Sequence, residues 1–400
     1  MQLRPAVEAA GVPFLAELAE GKTFVGTFLA EFPERERKAP GMEMTGFDFE
    51  HFFARLIPVQ AAGLEMALGH FPADLILADS FYWGTLPMLL GSREGRPAIA
   101  HLGISVLNLG SGKNVPIRSG SSEEERRAER ERRVRFMLQP AQAAIDKALA
   151  QLGCPSLPYP ALESMSMLPD VYLHPGIESF EYPDPARSSS RVHYIGALPL
   201  PPGHSEVPSW WEELDKTKRL VLVTQGTIAN WDLGQLIGPT LTGLSTNEDL
   251  IIMVTTGGRP VESIPVEVPA NARVAEFLPF ERMMPKVDLL ITNGGYGTVN
   301  MALAHGIPIV SAGLTEDKEE VSAHVQWAGV GIDLRTTQAT PEDVRDATLE
   351  VIGNPVYRNR AKDLAREFAR HDTEEELLEL LTRCVLEKGS SAQLAAPPRP

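Results

Sequence analysis

The sequence predicts an α/β protein of two domains in tandem, each built around a parallel sheet. Three features carry this expectation. Apolar strand-like runs alternate with helical patterns, clearly in the second half and more loosely in the first. A cluster of prolines divides the chain near its midpoint, and glycine-rich turns follow strand-like runs where doubly wound sheets bind ligands. With 400 residues, 43% of them apolar, the chain is long enough to give each domain its own core.

In the first half, Asp74 to Asp79 and Pro97 to Leu102 read as buried strands, and His51 to His70 as an amphipathic helix before them. A longer helical stretch runs from Ser121 to Gly153. Ser122 with Glu125 three residues on forms a capping box at its start, and Glu123/Arg127 and Glu129/Arg133 have i,i+4 spacing. The interleaved signs read as a solvated face rather than a basic patch. Leu198 to Pro208, with Pro199, Pro201, Pro202 and Pro208, breaks both helix and strand and reads as the interdomain linker. Beyond it, Leu220 to Thr224, Leu250 to Val254, Leu289 to Thr292, Ile307 to Ser311 and Val330 to Leu334 read as strands of βαβ units. Two helical patterns follow, Tyr357 to Arg370 and Thr373 to Glu387, and Ser390 to Pro400 has the composition of a frayed tail. The expected layout is a first domain over 1–197, a linker over 198–216, a second domain over 217–372, a last helix over 373–388 and a disordered tail over 389–400.

Charge and cysteine usage narrow the function. Thirty-seven Lys and Arg against 53 Asp and Glu give a formal charge of −16, the wrong sign for holding nucleic acid or an anionic lipid surface. Cys154 and Cys384 lie far apart without a CxxC or Cys/His cluster, so neither a disulfide framework nor a zinc site is indicated, and a reducing compartment fits. No basic stretch leads into an apolar region at the start, and no run of about 18 apolar residues occurs. A soluble, cytoplasmic protein without a transmembrane segment or a nucleic-acid partner is expected.

The chemistry concentrates in the second half. Ile291 to Pro308 reads as a strand end, a turn rich in glycine (Gly294, Gly295, Gly297) and a helix start. Such a turn aims backbone N–H groups at an anion, with the Thr298 hydroxyl as a further donor, and a diphosphate is the expected guest. A tight βα turn that needs glycine only for positive φ is the alternative. A second turn, Thr224-Gln225-Gly226-Thr227, falls at the same sheet edge. Between them, Phe277 in Phe277-Leu278-Pro279-Phe280 either stacks on a nucleobase or belongs to the core. In Gly313-Leu314-Thr315-Glu316-Asp317-Lys318, carboxylates accept hydrogen bonds from sugar hydroxyls, or the loop is merely charged, with Asp317 as a helix N-cap.

These motifs together resemble the donor-binding signature of the family 1 nucleotide-sugar glycosyltransferases, the UDP- and macrolide-glycosyltransferase-like group, from Phe277 to about Asp333. That family has the GT-B fold, two Rossmann-like domains facing across a cleft. The resemblance implies that Phe277 stacks on the base, Leu278 pairs with it through its backbone, and Gly226, Thr227, Asn293, Gly294, Gly295, Gly297 and Thr298 surround the phosphates. It places Glu316, Asp317 and Lys318 on the sugar. It also implies a nucleotide-diphosphate-sugar donor as co-substrate, a small hydrophobic acceptor, an inverting mechanism without metal or other cofactor, and a last helix that packs back on the first domain. Three positions depart from the pattern: Asn293 replaces the family's phosphate-binding His, Met301 its ribose-binding Glu, and Lys318 the Gln that follows the sugar-binding Asp.

In the first half, Ala78-Asp79-Ser80-Phe81-Tyr82-Trp83 is similar to the family's Asp-x-Phe-x-Trp element, whose Asp orients a catalytic His, so Asp79 is the catalytic candidate. Phe52, Phe53, Phe81, Tyr82, Trp83 and Met88 are the aromatics and methionine on which an acceptor pocket would rest, most of them reading more readily as core than as pocket. The His itself has no counterpart. Arg4 to Phe14 resembles the segment just after the family's second strand, so one βα unit of about 30 residues is expected to be absent and the first sheet incomplete. Three accounts stand: a start further upstream, a catalytically inactive nucleotide-sugar-binding or auxiliary relative, or another group as base. Among the nine histidines His101, at a strand end, is the one expected near the cleft, although a histidine in that position is usually structural.

Overall fold

The computed structural model describes residues 4–16, 18–107, 122–183, 191–199, 207–212, 214–215, 217–227 and 230–394. Most of the proline-rich linker, and the tail from 395 onward, lie outside the described residues.

Two α/β lobes are present. The first is built on a four-stranded sheet in the order β1 (Leu75–Asp79), β2 (Ala98–Leu102), β3 (Val171–His174) and β4 (Val192–Tyr194), with every pairing parallel. β2 and β3 are buried on both faces and β1 forms one edge. The strands end in turns at the side that faces the second lobe. The expected helix over His51 to His70 is two elements, a π turn at Phe49–Phe53 and the α-helix Ala54–His70 with Pro58 inside it. The long stretch before Gly153 is likewise split by a π turn, Val134–Leu138, ahead of Pro140. A helical proline has no N–H to close the preceding α turn, and the wide turn just upstream is where the ladder loosens.

The capping box at Ser122 and Glu125 is present. The expected Glu129/Arg133 surface pair is not: Arg132 takes Glu129, and Arg133 is buried against Glu320 of the other lobe. The stretch is therefore a solvated face for most of its length and an interlobe contact at its end.

The second lobe is a six-stranded parallel sheet in the order β10-β9-β8-β5-β6-β7: β5 is Arg219–Thr224, β6 Leu250–Thr255, β7 Ala272–Ala275, β8 Leu289–Thr292, β9 Ile309–Ser311 and β10 Gly331–Asp333. The unbroken apolar runs of β6 and β8 are fully buried, as a central parallel strand covered by helices requires. The strand order reverses between β5 and β8. In such sheets the crevice at the carboxyl ends of the strands flanking the reversal is where ligands bind, and both glycine-rich turns lie there.

The last helix, Thr373–Leu394, starts with Thr373 Oγ1 donating to Ile195 O (2.6 Å) and Ala197 O (2.9 Å), and it runs past the point where the tail was expected to begin. Leu380 and Cys384 on it share a core with Ala98, Ala100, Val171 and Leu173 of the first sheet.

A buried polar cluster also joins the lobes. His174 Nε2 lies 3.0 Å from Glu181 Oε1, and His324 Nε2 of the second lobe lies 3.4 Å from Glu181 Oε2. Burial alone raises the Glu181 carboxyl, but the hydrogen bond from His174 and the facing His324 imidazole outweigh it and hold the group well below the usual carboxylate range. A depressed folded pKa adds stability above the unfolded value that is lost as the pH falls. The stability gap between the wild type and Glu181→Gln, read by urea unfolding, is therefore expected to be widest at neutral pH and to shrink below about pH 4. A gap constant from pH 7 to pH 3 would contradict this.

Candidate active site

A cavity of about 790 Å³ opens between the lobes and collects most of the residues singled out by sequence. From the second lobe, Gly226, Thr227, Asn293, Gly295, Gly297 and Thr298 line one side, and Glu316, Asp317 and Lys318 line the next. Asp79 lines it from the first lobe. Gly294 is buried behind the turn, and Phe277 and Leu278 are not among the lining residues.

The turn after β8 separates its glycines by role. Gly294 has φ +91°, and a Cβ there would meet Ser322 Oγ at 2.7 Å, so conformation and space both demand glycine. Gly295 has φ −62° and ψ 127°, which any residue adopts, and a Cβ built on Gly295 or Gly297 meets no protein atom within 4 Å. Backbone geometry does not require glycine at these two positions; what their missing side chains leave is open cavity at the N-terminus of the helix Tyr296–Ala304. Asn293 Nδ2 donates to Gln225 O (2.7 Å) and so staples this turn to the one after β5.

The turn after β9 is strained at Glu316, a non-glycine residue with φ +53°. Its carboxylate accepts from Thr315 Oγ1 (2.7 Å) and pairs with Lys318, while its carbonyl accepts from Thr45 Oγ1 of the first lobe (3.1 Å). Asp317 occupies the N-cap position of the helix Lys318–Trp327 but makes no capping bond with its side chain, so the plain N-cap account fails. Burial raises its carboxyl, and the Ser105 hydroxyl across the cleft and Lys318 pull it back only in part.

Phe277 is not core: it is 52% exposed, and its ring lies so close to Gly258 that a Cβ there would come within 2.7 Å of it. Leu278 buries its side chain. Sequence reading missed Asn230, which is buried and uses Nδ2 on Gly226 O (2.9 Å) and Thr256 O (2.9 Å), tying the turn after β5 to the loop that carries Gly258. Nothing in the spacing of a lone Asn signals such a role.

On the first-lobe side the wall is aromatic, Phe49, Phe52, Phe53, Phe81 and Tyr82, together with Ile104. Phe52, Phe53, Phe81 and Tyr82 were expected here. Trp83 is fully buried core and Met88 does not line the cavity. Asp79 ends β1 with its carboxylate accepting from Phe81 N–H (2.8 Å), which fixes the turn that carries Phe81. His101 is corrected: it is fully buried, its ring nitrogens bound to Thr85 Oγ1 (2.9 Å) and Met165 O (2.9 Å), and burial lowers it to about 4. It is a structural residue outside the cavity. Asp48, which the sequence did not signal, also borders the cavity; Arg35 holds it through two bonds (2.6 and 2.7 Å), and burial raises the Asp48 carboxyl more than Arg35 lowers it.

Residues 244–383 match a family model described as the erythromycin biosynthesis protein CIII-like C-terminal domain. The chain is 35% identical over 391 residues to UDP-glycosyltransferase 2 of Phaeomoniella chlamydospora, covering 92% of this chain and 84% of the relative. The chain belongs to the family 1 nucleotide-sugar glycosyltransferases. A second relative of this glycosyltransferase, 4'-demethylrebeccamycin synthase of Lentzea aerocolonigenes, is 34% identical over 342 residues, 83% of this chain and 79% of the relative. A crystal structure of the glycosyltransferase VinC in complex with dTDP covers 96% of this chain and 90% of its own, with TM-score 0.64 at 16% identity. The two lobes are thus those of the GT-B fold. Among the described residues, no helix of this glycosyltransferase is long and apolar enough to cross a membrane.

Proposed function

We propose that the chain moves a hexose, with inversion, from a UDP- or dTDP-linked donor to a hydroxyl of a small hydrophobic acceptor, in the cytoplasm. One observation carries this reading: a single cavity in which Asp79 and an aromatic wall face the glycine turns and the turn Glu316 to Lys318. The donor diphosphate lies at the N-terminus of the helix Tyr296–Ala304, among Gly226, Thr227, Asn293, Gly295, Gly297 and Thr298. Backbone N–H groups and the helix dipole take up its charge, so no metal ion is needed. Glu316 and Asp317 accept hydrogen bonds from the sugar hydroxyls, and Lys318 neutralises Glu316. The acceptor rests on Phe49, Phe53 and Phe81. Its hydroxyl oxygen attacks the anomeric carbon while Asp79 receives the proton, and the nucleoside diphosphate leaves from the opposite face. A relative named a UDP-glycosyltransferase and a neighbour solved with dTDP support the two donor classes.

Phe277 holds the base in this reading, with the Leu278 backbone beside it. Phe277→Ala is expected to weaken UDP or dTDP binding by about 1 to 3 kcal/mol, the range for a base stacked on an aromatic ring, as read by calorimetry. Unchanged affinity would remove Phe277 from the site.

A second reading is a donor-binding protein without turnover, favoured by one observation: no histidine among the described residues lines the cavity. Transfer assays with UDP-glucose and dTDP-glucose on small phenols separate the two, since both bind nucleotide and only the first releases it from the sugar.

A further inference from the structure

Behind the cavity lies a buried carboxylate that the reading above does not use. Glu181 follows the short turn Glu178–Phe180 after β3 and is 2% exposed. Its Oε1 accepts from His174 Nε2 (3.0 Å), and its Oε2 accepts from Leu107 N–H (3.2 Å) and faces His324 Nε2 at 3.4 Å. His174 Nε2 is also 2.8 Å from the Tyr296 hydroxyl, which donates its own proton to Pro175 O (2.6 Å). With that proton committed, the Tyr296 oxygen is an acceptor, so the Nε2–H of His174 is shared between Tyr296 and Glu181.

Both partners in the second lobe sit on helices that begin at the cavity. Tyr296 opens the helix Tyr296–Ala304 directly after Gly295, and one turn on Asn300 Nδ2 donates to the same Pro175 carbonyl (3.2 Å). His324 stands in the helix Lys318–Trp327, which begins directly after Asp317, and Tyr182 stacks on its ring at 3.6 Å between centroids. One carboxylate of the first lobe thus reaches the diphosphate turn through His174 and Tyr296, and the sugar turn through His324.

We propose that Glu181 is a positioning residue for donor binding: it holds the N-termini of these two helices in register against the first lobe, so that backbone N–H groups after Gly295 meet the diphosphate. This rests on the donor-site reading above. Replacing the carboxylate by an amide leaves one acceptor oxygen where His174 Nε2 and Leu107 N–H now have one each, and removing the Tyr296 hydroxyl cuts its tie to Pro175 O; either change lets the phosphate turn shift. Misplacement by about 1 Å is enough to cost contacts at a charged ligand. The base platform at Phe277 lies in a different loop and does not depend on this cluster.

The test uses Glu181→Gln and Tyr296→Phe in the full chain. The probes are UDP with uridine and dTDP with thymidine, with affinities read by calorimetry for the diphosphates and by ligand-observed NMR for the nucleosides. The expected result is a loss of about tenfold or more in affinity for the diphosphate that binds the wild type, with its nucleoside bound as before. A general loss of structure would weaken both alike. Equal loss of nucleoside and diphosphate, or full retention of diphosphate affinity in a folded variant, overturns the proposal. If Glu181→Gln does not fold, Tyr296→Phe, which deletes one hydroxyl, decides alone. A wild type that binds neither UDP nor dTDP overturns the donor-site reading, and this proposal with it.

Discussion

Asp79→Asn is expected to lower turnover by about 100-fold or more while leaving UDP or dTDP affinity within about twofold, because general-base help is worth roughly 10² to 10⁴ in rate. The reasoning is local. Asn is isosteric with Asp and still offers Oδ1 to Phe81 N–H, the contact that fixes the turn after β1. The aromatic wall that follows it, Phe81 and Tyr82, therefore stays in place. What is lost is the negative charge and the basic oxygen that receive the acceptor proton. The donor turns belong to the other lobe and make no contact that this substitution removes. Transfer kinetics with saturating donor, set beside calorimetric nucleotide binding, separate the two effects. Wild-type turnover in Asp79→Asn would take Asp79 out of the chemistry, and a parallel loss of nucleotide affinity would make it a structural residue of the cleft.

Gly295→Val is expected to remove donor binding, by about 100-fold or more, in a protein that remains folded. The two parts have separate causes. Gly295 has φ −62° and ψ 127°, a conformation natural for a β-branched residue, and its Cβ would point into space empty of protein atoms within 4 Å. Folding therefore has no reason to suffer. The same methyl groups would fill the space where backbone donors meet the diphosphate. Loss of two hydrogen bonds to a charged group, each worth about 1.5 to 3 kcal/mol, is already a factor of about 100. Gly294→Val is the contrast. With φ +91° and Ser322 Oγ in the way, it is expected to destabilise the lobe itself and lower the unfolding midpoint, which Gly295→Val does not. Unchanged UDP and dTDP affinity in Gly295→Val would remove the diphosphate from this turn.

The second lobe was the more legible half because its signals are local. β5 and β8 are short apolar runs ending in turns whose glycines Gly226, Gly295 and Gly297 line the cavity, so strand, turn and candidate residue are read from one stretch. The runs Leu250 to Val254 and Leu289 to Thr292 fell within a residue of the strands. In the first lobe β3 and β4 passed unread, since Val171–His174 and Val192–Tyr194 are only four and three residues long and carry polar or aromatic members. The π turns at Phe49–Phe53 and Val134–Leu138 have no periodicity of their own, yet the first of them supplies much of the aromatic wall.

Within the site, Glu316, Asp317, Lys318, Asp79 and the glycine turns were visible because motif and spacing mark them. Asp48 with Arg35, Asn230 and Glu181 were not. Each has partners beyond its own stretch of chain, and such pairings leave no trace in local pattern: Arg35 reaches Asp48 thirteen residues away, Asn230 reaches Thr256, Glu181 faces His324, and Arg133 leaves Glu129 for Glu320. His101 misled for the opposite reason. A histidine at a strand end looks available, but the helix Ala161–Met167 and the turn at Thr85 close over it and take both nitrogens.

The most direct test of the central claim is calorimetric titration of this 400-residue chain with UDP and dTDP, followed on the same sample by release of nucleotide from UDP-glucose and dTDP-glucose in the presence of a small phenolic acceptor. Saturable binding of one diphosphate together with transfer of its sugar is the expected result. Failure to bind either diphosphate would contradict the donor site, and binding without transfer would contradict the assignment of Asp79 as the group that receives the acceptor proton.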